Sequence, residues 1–372
     1  MEGNRVKFIN IDMWQLLDIS KKKNIICFGE GKKLRTFINT FKEFDISKMI
    51  YYIVDNNEGK DNTEIEINKT KLKVYSFVHF LNMDIENCFI VITSQEVNSI
   101  YEQLCSYERF EKISCCYCDF VKIETNEKIE QNRIYPASFR IYHTPKIPKI
   151  IHYCWFGKKE IPKQNRIWME SWNKYCPDYK IIEWNESNYD INKNPYMSEA
   201  YQAKKWSFVS DYTRLDIIYQ YGGIYLDTDV EIIRNLDELL YQDAFAGVDS
   251  SQNISLGLGF GAVSQHHIVR ELLEFYENLH FDVNNLIAAP TLTKPLFERY
   301  NYVNNGDIQK IAGMTVYPEK VLSGKDDITG RILPTENTYA IHHYDGSWND
   351  ESKIKRRREI KELYEKVYNN RI

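Results

Sequence analysis

Residues 207–233 read SFVSDYTRLDIIYQYGGIYLDTDVEII, and few folds accommodate such a run. Apolar residues at Phe208, Tyr212, Leu215 and Tyr219 recur at the spacing of one helical face, and Gly222-Gly223 supplies a residue that takes φ > 0 and stops the helix. Residues 224–230 then read as a strand, whose alternation sets Tyr225, Asp227, Asp229 and Glu231 on one face. Two carboxylates about 4 Å apart repel by roughly 4 kcal/mol at an effective dielectric near 20, and a divalent cation reverses that cost. The stretch therefore asks for a metal. Asp211 and Arg214, three apart on the helix, share a cleft-facing side and offer an acceptor and a fork of donors to a polar ligand. The competing reading is a solvated helix face followed by a solvated strand end.

At 372 residues the chain has length for two domains and a sizeable core. No apolar run approaches the roughly 20 residues that span a bilayer, and the opening MEGNRVKFINIDMW lacks the basic-then-apolar order of a signal peptide. The expectation is a cytoplasmic protein in at most peripheral contact with the inner face of a membrane. A net charge of −5 excludes general attraction to nucleic acid. Residues 353–361, KIKRRREIK, are locally basic, a turn or two of a C-terminal helix over 351–372 that could meet an anionic surface or a lipid-linked phosphate. The eight cysteines lie mostly in apolar contexts, which reads as reduced core thiols. Only Cys115, Cys116 and Cys118 cluster, with no second Cys or His pair nearby to complete a zinc site.

The N-terminal 125 residues alternate strand and helix. NIICFGEG, over 24–31, is an apolar strand ending in Gly29 and Gly31; a helical LRTFINTFKEF and a second strand, MIYYIVDNN, follow. Further strands are expected at 73–77, 89–93 and 113–120, with a helix at 96–107, giving a small Rossmann-like parallel α/β domain over 1–125. Gly29, Gly31 and Asp55 imitate a dinucleotide fingerprint, but Leu34 stands in place of its third glycine, so a structural or partner-binding module is the expectation. Residues 126–148, polar and carrying Pro136, Pro145 and Pro148, read as a linker. A second α/β domain is expected over 149–350: a strand at KIIHYCWFG, a helix at 163–175 with Trp168 and Trp172 on one face, a strand at 179–184 and helical sequence from 198. Trp155 and the Asp227/Asp229 pair both sit at carboxyl ends of strands, where open sheets bind ligands. A Trp face there suits a planar base, and plain packing is its other reading. Glycines 257, 259 and 261 alternate with apolar residues and let a sugar ring or acceptor approach the backbone, unless they mark only a bulged strand. Residues 339–348, YAIHHYDGSW, form a strand, a His pair and a Gly-Ser-Trp loop able to close over a site.

IPKIIHYCWFG, SWNKYCPDYKIIEWNE, AYQAKKWSFVSDYTRLDIIYQYGGIYLDTDVEI and AIHHYDGSW, in that order, resemble glycosyltransferase family 32. That family includes capsular polysaccharide enzymes and yeast mannosyltransferases and is distantly related to the large clostridial glucosylating toxins. The resemblance covers about residues 147–350. It implies a GT-A fold, a Mn²⁺ or Mg²⁺ ion, and retaining transfer of a hexose from a nucleotide-sugar to a glycan acceptor, free or lipid-linked, in bacterial capsular or surface polysaccharide synthesis. Carried over by position, Trp155 would stack on the nucleobase, Asp211 and Arg214 would bind the donor sugar, and Asp227 would hydrogen-bond ribose or sugar hydroxyls. Asp229 would ligate the metal with His343 as second ligand, His342 being structural, and Trp348 would reach the diphosphate or glycosidic oxygen. Tyr153, Ser210, Tyr225, Asn253, Gly259 and Ser347 are further candidates for substrate contact. A single Trp platform and the toxin relationship favour a UDP-sugar, and GDP-sugars also occur in the family.

Two other readings compete. IYLDTDV also resembles the strand and D-x-D nucleophile of haloacid dehalogenase phosphatases, but that motif opens its domain and here a whole α/β half precedes it. A catalytically silent sugar-binding protein would keep Trp155 and Asp211 without needing Asp229 and His343.

Overall fold

The computed structural model describes residues 6–303, 305–346 and 351–369, so Ser347 and Trp348 lie outside the described residues. The chain divides into two compact units, Met1–Ile134 with Lys355–Ile372, and Tyr135–Ile354.

In the first unit β1 (Lys7–Phe8), β2 (Asn24–Phe28), β3 (Ile50–Asp55), β4 (Thr63–Ile67), β5 (Thr70–Ser76), β6 (Cys88–Ile92) and β7 (Ser114–Tyr117) form one sheet in the order β1-β7-β6-β2-β3-β5-β4. All neighbours run parallel except β4 against β5. All of β6, CFIVI, is buried, as expected of a parallel strand covered on both faces. The strand expected over 113–120 stops at Tyr117, and Cys118–Gln131 is a helix. That helix occupies the start of the expected 126–148 linker. The rest of the stretch is mostly exposed, and Phe139 and Ile147 pin it to the core of the second unit. Asp55 Oδ2 accepts the Glu30 N–H at 3.0 Å, and Lys60 bridges Glu30 and Asp55. The carboxylate a ribose would need is thus turned to the unit's own backbone. In the C-terminal helix, Glu351–Asn369, Tyr364 is buried against Phe120 with ring centroids 4.9 Å apart. Lys355, Arg358 and Lys361 each face a glutamate four residues on, so the basic run is interleaved with carboxylates.

The second unit is built on a seven-stranded mixed sheet, β14-β15-β12-β13-β10-β8-β9, from β8 (Ile150–Cys154), β9 (Lys180–Trp184), β10 (Gly223–Tyr225), β12 (Ala244–Val248), β13 (Ile254–Ala262), β14 (Gln309–Ile311) and β15 (Met314–Tyr317). A separate antiparallel pair joins β11 (Val230–Ile232) to β16 (Ala340–His342). Successive side chains of a strand fall into different cores. Cys154, Tyr225 and Phe260 pack with the Trp206–Tyr221 helix, while Ile151, Tyr153, Ile224 and Leu226 pack with Trp172 of the Lys163–Tyr175 helix.

The strand expected over 224–230 ends at Tyr225. Residues 226–229 make a turn, closed by Val230 N–H on Asp227 O at 3.1 Å, and the chain resumes as β11 in the other sheet. Tyr225, Asp227, Asp229 and Glu231 therefore do not share one strand face. Backbone groups of the turn are taken by β8 and β13: Leu226 N–H donates to His152 O at 3.0 Å and Asp227 N–H to Gly257 O at 3.1 Å. Among the described residues no helix is long and apolar enough to cross a membrane.

His152, fully buried in β8, fixes the start of this turn. Trp184 Nε1–H donates to its Nδ1 at 3.0 Å, so Nε2 carries the proton and donates to Gly222 O at 2.9 Å. Burial pushes this ring down to about 4. The unfolded chain takes up a proton near pH 6.5 and the folded one does not until about pH 4, so stability falls as pH drops through that window. The gap is worth up to about 3 kcal/mol. Urea unfolding at pH 7.5 and 5.0 checks this, and His152→Gln, which keeps a donor for Gly222 O, is expected to flatten the pH dependence.

Candidate active site

The Trp206–Tyr221 helix is buried on all sides from Phe208 to Ile218, which explains why its sequence is only weakly amphipathic. Gly222, at φ 65°, ends it. On its inner face Arg214, only 6% exposed, sits between two carboxylates: its Nη2 lies 3.2 Å from Asp211 Oδ1 and 3.3 Å from Asp227 Oδ1. The guanidinium also lies 4.9 Å over the Tyr225 ring, and its Nε–H donates to Ser210 O at 3.2 Å. A buried guanidinium without partners would cost several kcal/mol, so these contacts hold Arg214 in one geometry. Burial pushes Asp211 up to about 6, with Arg214 opposing and Asp227 adding. An Asp this reluctant to ionise is poised to accept or donate to ligand hydroxyls. A small recess over Asp211 and Arg214 is walled by Leu256, Tyr276 and Pro290, a polar edge beside an apolar wall.

Asp227 belongs to a second group as well. Tyr225 O–H donates to its Oδ1 at 3.0 Å, and Asp227, Asp229 and His342 present ligand atoms all within 4.8 Å of one another. His342 Nε2 lies 3.2 Å from Asp229 Oδ1, and its Nδ1 is buried without a hydrogen-bond partner. Burial alone would raise the Asp229 carboxyl, yet the His342 charge and the Asp345 N–H bring it down to about 2. Burial works against a charged His342, but Asp229 outweighs it and the ring holds its proton more tightly than in water. The protonated ring thus puts a positive charge beside Asp229 and within reach of Asp227. Two carboxylate oxygens and an imidazole suit a Mn²⁺-type ion.

His342 thus takes the place expected of His343. Neighbouring residues on an extended chain face opposite ways, and register pairs His342 with Val230, beside the acidic turn. His343 turns the other way: it stacks on Trp168 with centroids 4.1 Å apart at 9°, and its Nε2 lies 2.9 Å from Glu231. Its backbone N–H donates to Asp229 O at 2.9 Å. His343 is an anchor for the segment that delivers His342.

The remaining candidates divide. Ser210 is buried on the Arg214 side, its hydroxyl donating to Trp206 O at 3.2 Å. Tyr153 is in the opposite core, its hydroxyl donating to Glu183 at 2.7 Å, so it does not join Asp211 and Arg214. Trp155, at the end of β8, is partly buried and its Nε1–H donates to Lys159 O at 2.5 Å. Asn253 closes a turn through its N–H to Asp249 Oδ1 at 3.0 Å. A Cβ on Gly259 would meet Leu226 and Leu322, so this glycine faces core, not substrate. Gly257 is the one that matters: a Cβ there would lie 2.1 Å from Asp227 Oδ2. Every second residue of a strand shares a face until φ turns positive, and Gly259 at φ 139° breaks that rule.

Residues 162–246 match the family described as a glycosyltransferase sugar-binding region containing a DXD motif, a span that holds Asp211, Arg214, Asp227 and Asp229. That segment of the chain is similar to a DXD glycosyltransferase region. The chain is similar to inositol phosphoceramide mannosyltransferase 3 of Schizosaccharomyces pombe, 30% identical over 48% of this chain and 51% of the relative. Mannosyl phosphorylinositol ceramide synthase SUR1 of Saccharomyces cerevisiae is 29% identical over 55% of this chain and 54% of its own. A human alpha-1,4-N-acetylglucosaminyltransferase is 39% identical over 20% of this chain and 21% of its own. The chain spans about half the length of the yeast relatives it matches. The second unit, which holds that segment, is α/β with a mixed sheet, and the acidic turn follows β10, an interior strand between β13 and β8.

Two predictions follow from this geometry. Gly257→Ala displaces Asp227 and is expected to weaken Mn²⁺ binding at least tenfold by calorimetry, whereas Gly259→Ala loses thermal stability and keeps its Mn²⁺ affinity. A metal on His342 must displace its proton, so Mn²⁺ affinity is expected to fall by up to about tenfold per pH unit once pH drops below the ring's raised pKa, with proton release. His342→Ala removes that pH dependence and most of the affinity; His343→Ala lowers the melting temperature instead. Equal losses of affinity in both His variants would contradict the assignment.

Proposed function

We propose that the chain is a metal-dependent, retaining hexosyltransferase that moves a sugar from a nucleotide diphosphate to a hydroxyl of a glycan or lipid-linked glycan, in the making of a surface polysaccharide or glycolipid. The observation that carries this is Asp227, one carboxylate shared by the buried Asp211/Arg214 group and by the Asp229/His342 group. A sugar on the first group has its anomeric carbon next to a diphosphate on the second. Arg214 and Asp211 orient the sugar's hydroxyls, and the recess wall of Leu256, Tyr276 and Pro290 takes its apolar side. Trp155 stacks on the base, with uridine favoured; the mannosyltransferase relatives make mannose the first sugar to test. Asp227, Asp229 and His342 would hold the ion, which when bound supplies positive charge at the oxygens of the departing diphosphate. In the reaction the bond from anomeric carbon to phosphate oxygen breaks with its electron pair on that oxygen. The acceptor oxygen bonds the carbon, and its proton leaves to the phosphate or to solvent.

The test is a donor panel of UDP- and GDP-hexoses with Mn²⁺, following slow hydrolysis without acceptor. One donor is expected to be cleaved, with cleavage abolished by EDTA and by Asp229→Asn in protein that melts normally. Hydrolysis that persists in excess EDTA would refute the metal's role, and no cleavage or binding of any panel member would refute the reading itself.

A further inference from the structure

Arg214 is committed to Asp211 and Asp227, so another cation must meet whatever charge develops beyond the acidic turn. Lys325 is placed to do so. It follows Gly324 in a loop that leads away from a short helix, and its Nζ donates to His343 O at 2.6 Å. The same His343 donates its N–H to Asp229 O at 2.9 Å. The ammonium therefore lies one peptide away from a proposed metal ligand, and its charge is felt at both His342 and Asp345. The loop that carries it is stiff. Asp326 Oδ1 accepts the N–H groups of Ile328 and Thr329 at 3.1 and 2.7 Å, Asp326 N–H donates to Arg331 O at 2.9 Å, and Lys325 pairs with Ile332 across the loop.

An ammonium beside a cation site weakens that site for a bare metal. It becomes useful when the metal arrives with a polyanion, because two carboxylates already balance a divalent ion and a diphosphate then brings negative charge in excess. Lysine has three N–H donors on a flexible stem, enough to hold a carbonyl and a phosphate oxygen together. We propose that Lys325 binds the terminal phosphate of the nucleotide diphosphate and stays on it as the phosphate leaves. This rests on the glycosyltransferase reading and adds to it a residue well outside the matched 162–246 region.

The alternative role for Lys325 is to tie down the His343 carbonyl. Lys325→Gln separates the two, since the amide still donates to that carbonyl but has no charge; Lys325→Met removes both, and Lys325→Arg keeps the charge. The full chain is titrated with Mn²⁺ alone, and with UDP, GDP, UMP and GMP in saturating Mn²⁺. For the diphosphate the wild type binds, Lys325→Gln and Lys325→Met are both expected to lose at least tenfold in affinity and Lys325→Arg less than threefold. Monophosphate affinity should stay within about twofold throughout, and affinity for Mn²⁺ alone should hold or rise in Lys325→Gln and Lys325→Met, because no ammonium then opposes the bare ion. Lys325→Gln behaving as wild type would overturn the proposal, as would parallel losses for mono- and diphosphates. If the wild type binds neither UDP nor GDP, the glycosyltransferase reading falls and this inference with it; intact diphosphate binding in Lys325→Met would remove the inference alone.

Discussion

A single carboxylate, that of Asp227, lies where two buried charge systems meet. On one side it neutralises Arg214, which could not stay buried unpaired; on the other it stands within ligand distance of Asp229 and His342. The position demands that nothing else occupy the space beneath it, and Gly257 meets that demand. The turn at 226–229, the opening of β13 and the helix carrying Arg214 are thus constrained by one steric and one electrostatic condition.

That arrangement explains why the Trp206–Tyr221 helix is so deeply buried. Asp211 and Arg214 sit inside, in contact with each other and with the turn, Asp216 is held by Tyr189 and Lys193, and the apolar residues fill the surrounding core. Burial leaves the charges poorly solvated, which raises Asp211 and fixes Arg214, and both effects make the site responsive to a polar ligand. The β11/β16 pair performs a parallel service. It carries His342 to the acidic turn and locks it by backbone bonds from His343 and Asp345 to Asp229.

Much of this was legible in the residues. The strand and helix alternation marked two α/β units, because a parallel strand covered on both faces must be an apolar run such as CFIVI, and the helix end at Gly222 follows from its lack of a Cβ. The Asp211, Arg214 and Asp227 group was visible from helical spacing and the D-x-D pair. The Cys118–Gln131 helix was hidden because its buried positions follow no clean helical period, whereas the Met13–Ser20 helix carries a local signal, Asp12 and Gln15 capping each other at 2.9 Å.

Sequence by itself determined which residue types the site would hold and that two carboxylates would stand together, since composition and local spacing dictate charge and periodicity. Tertiary structure alone decided which histidine reaches them and which glycine lies beneath them. It also decided that a turn, and no pleat, brings the carboxylates together, and that Lys325, some hundred residues later, stands near them. Those choices depend on strand register and on φ at a few positions, where a shift of one residue reverses the face a side chain presents. Such a shift leaves no trace in the spacing of the sequence, because HisHis and GlyLeuGly read alike in either register.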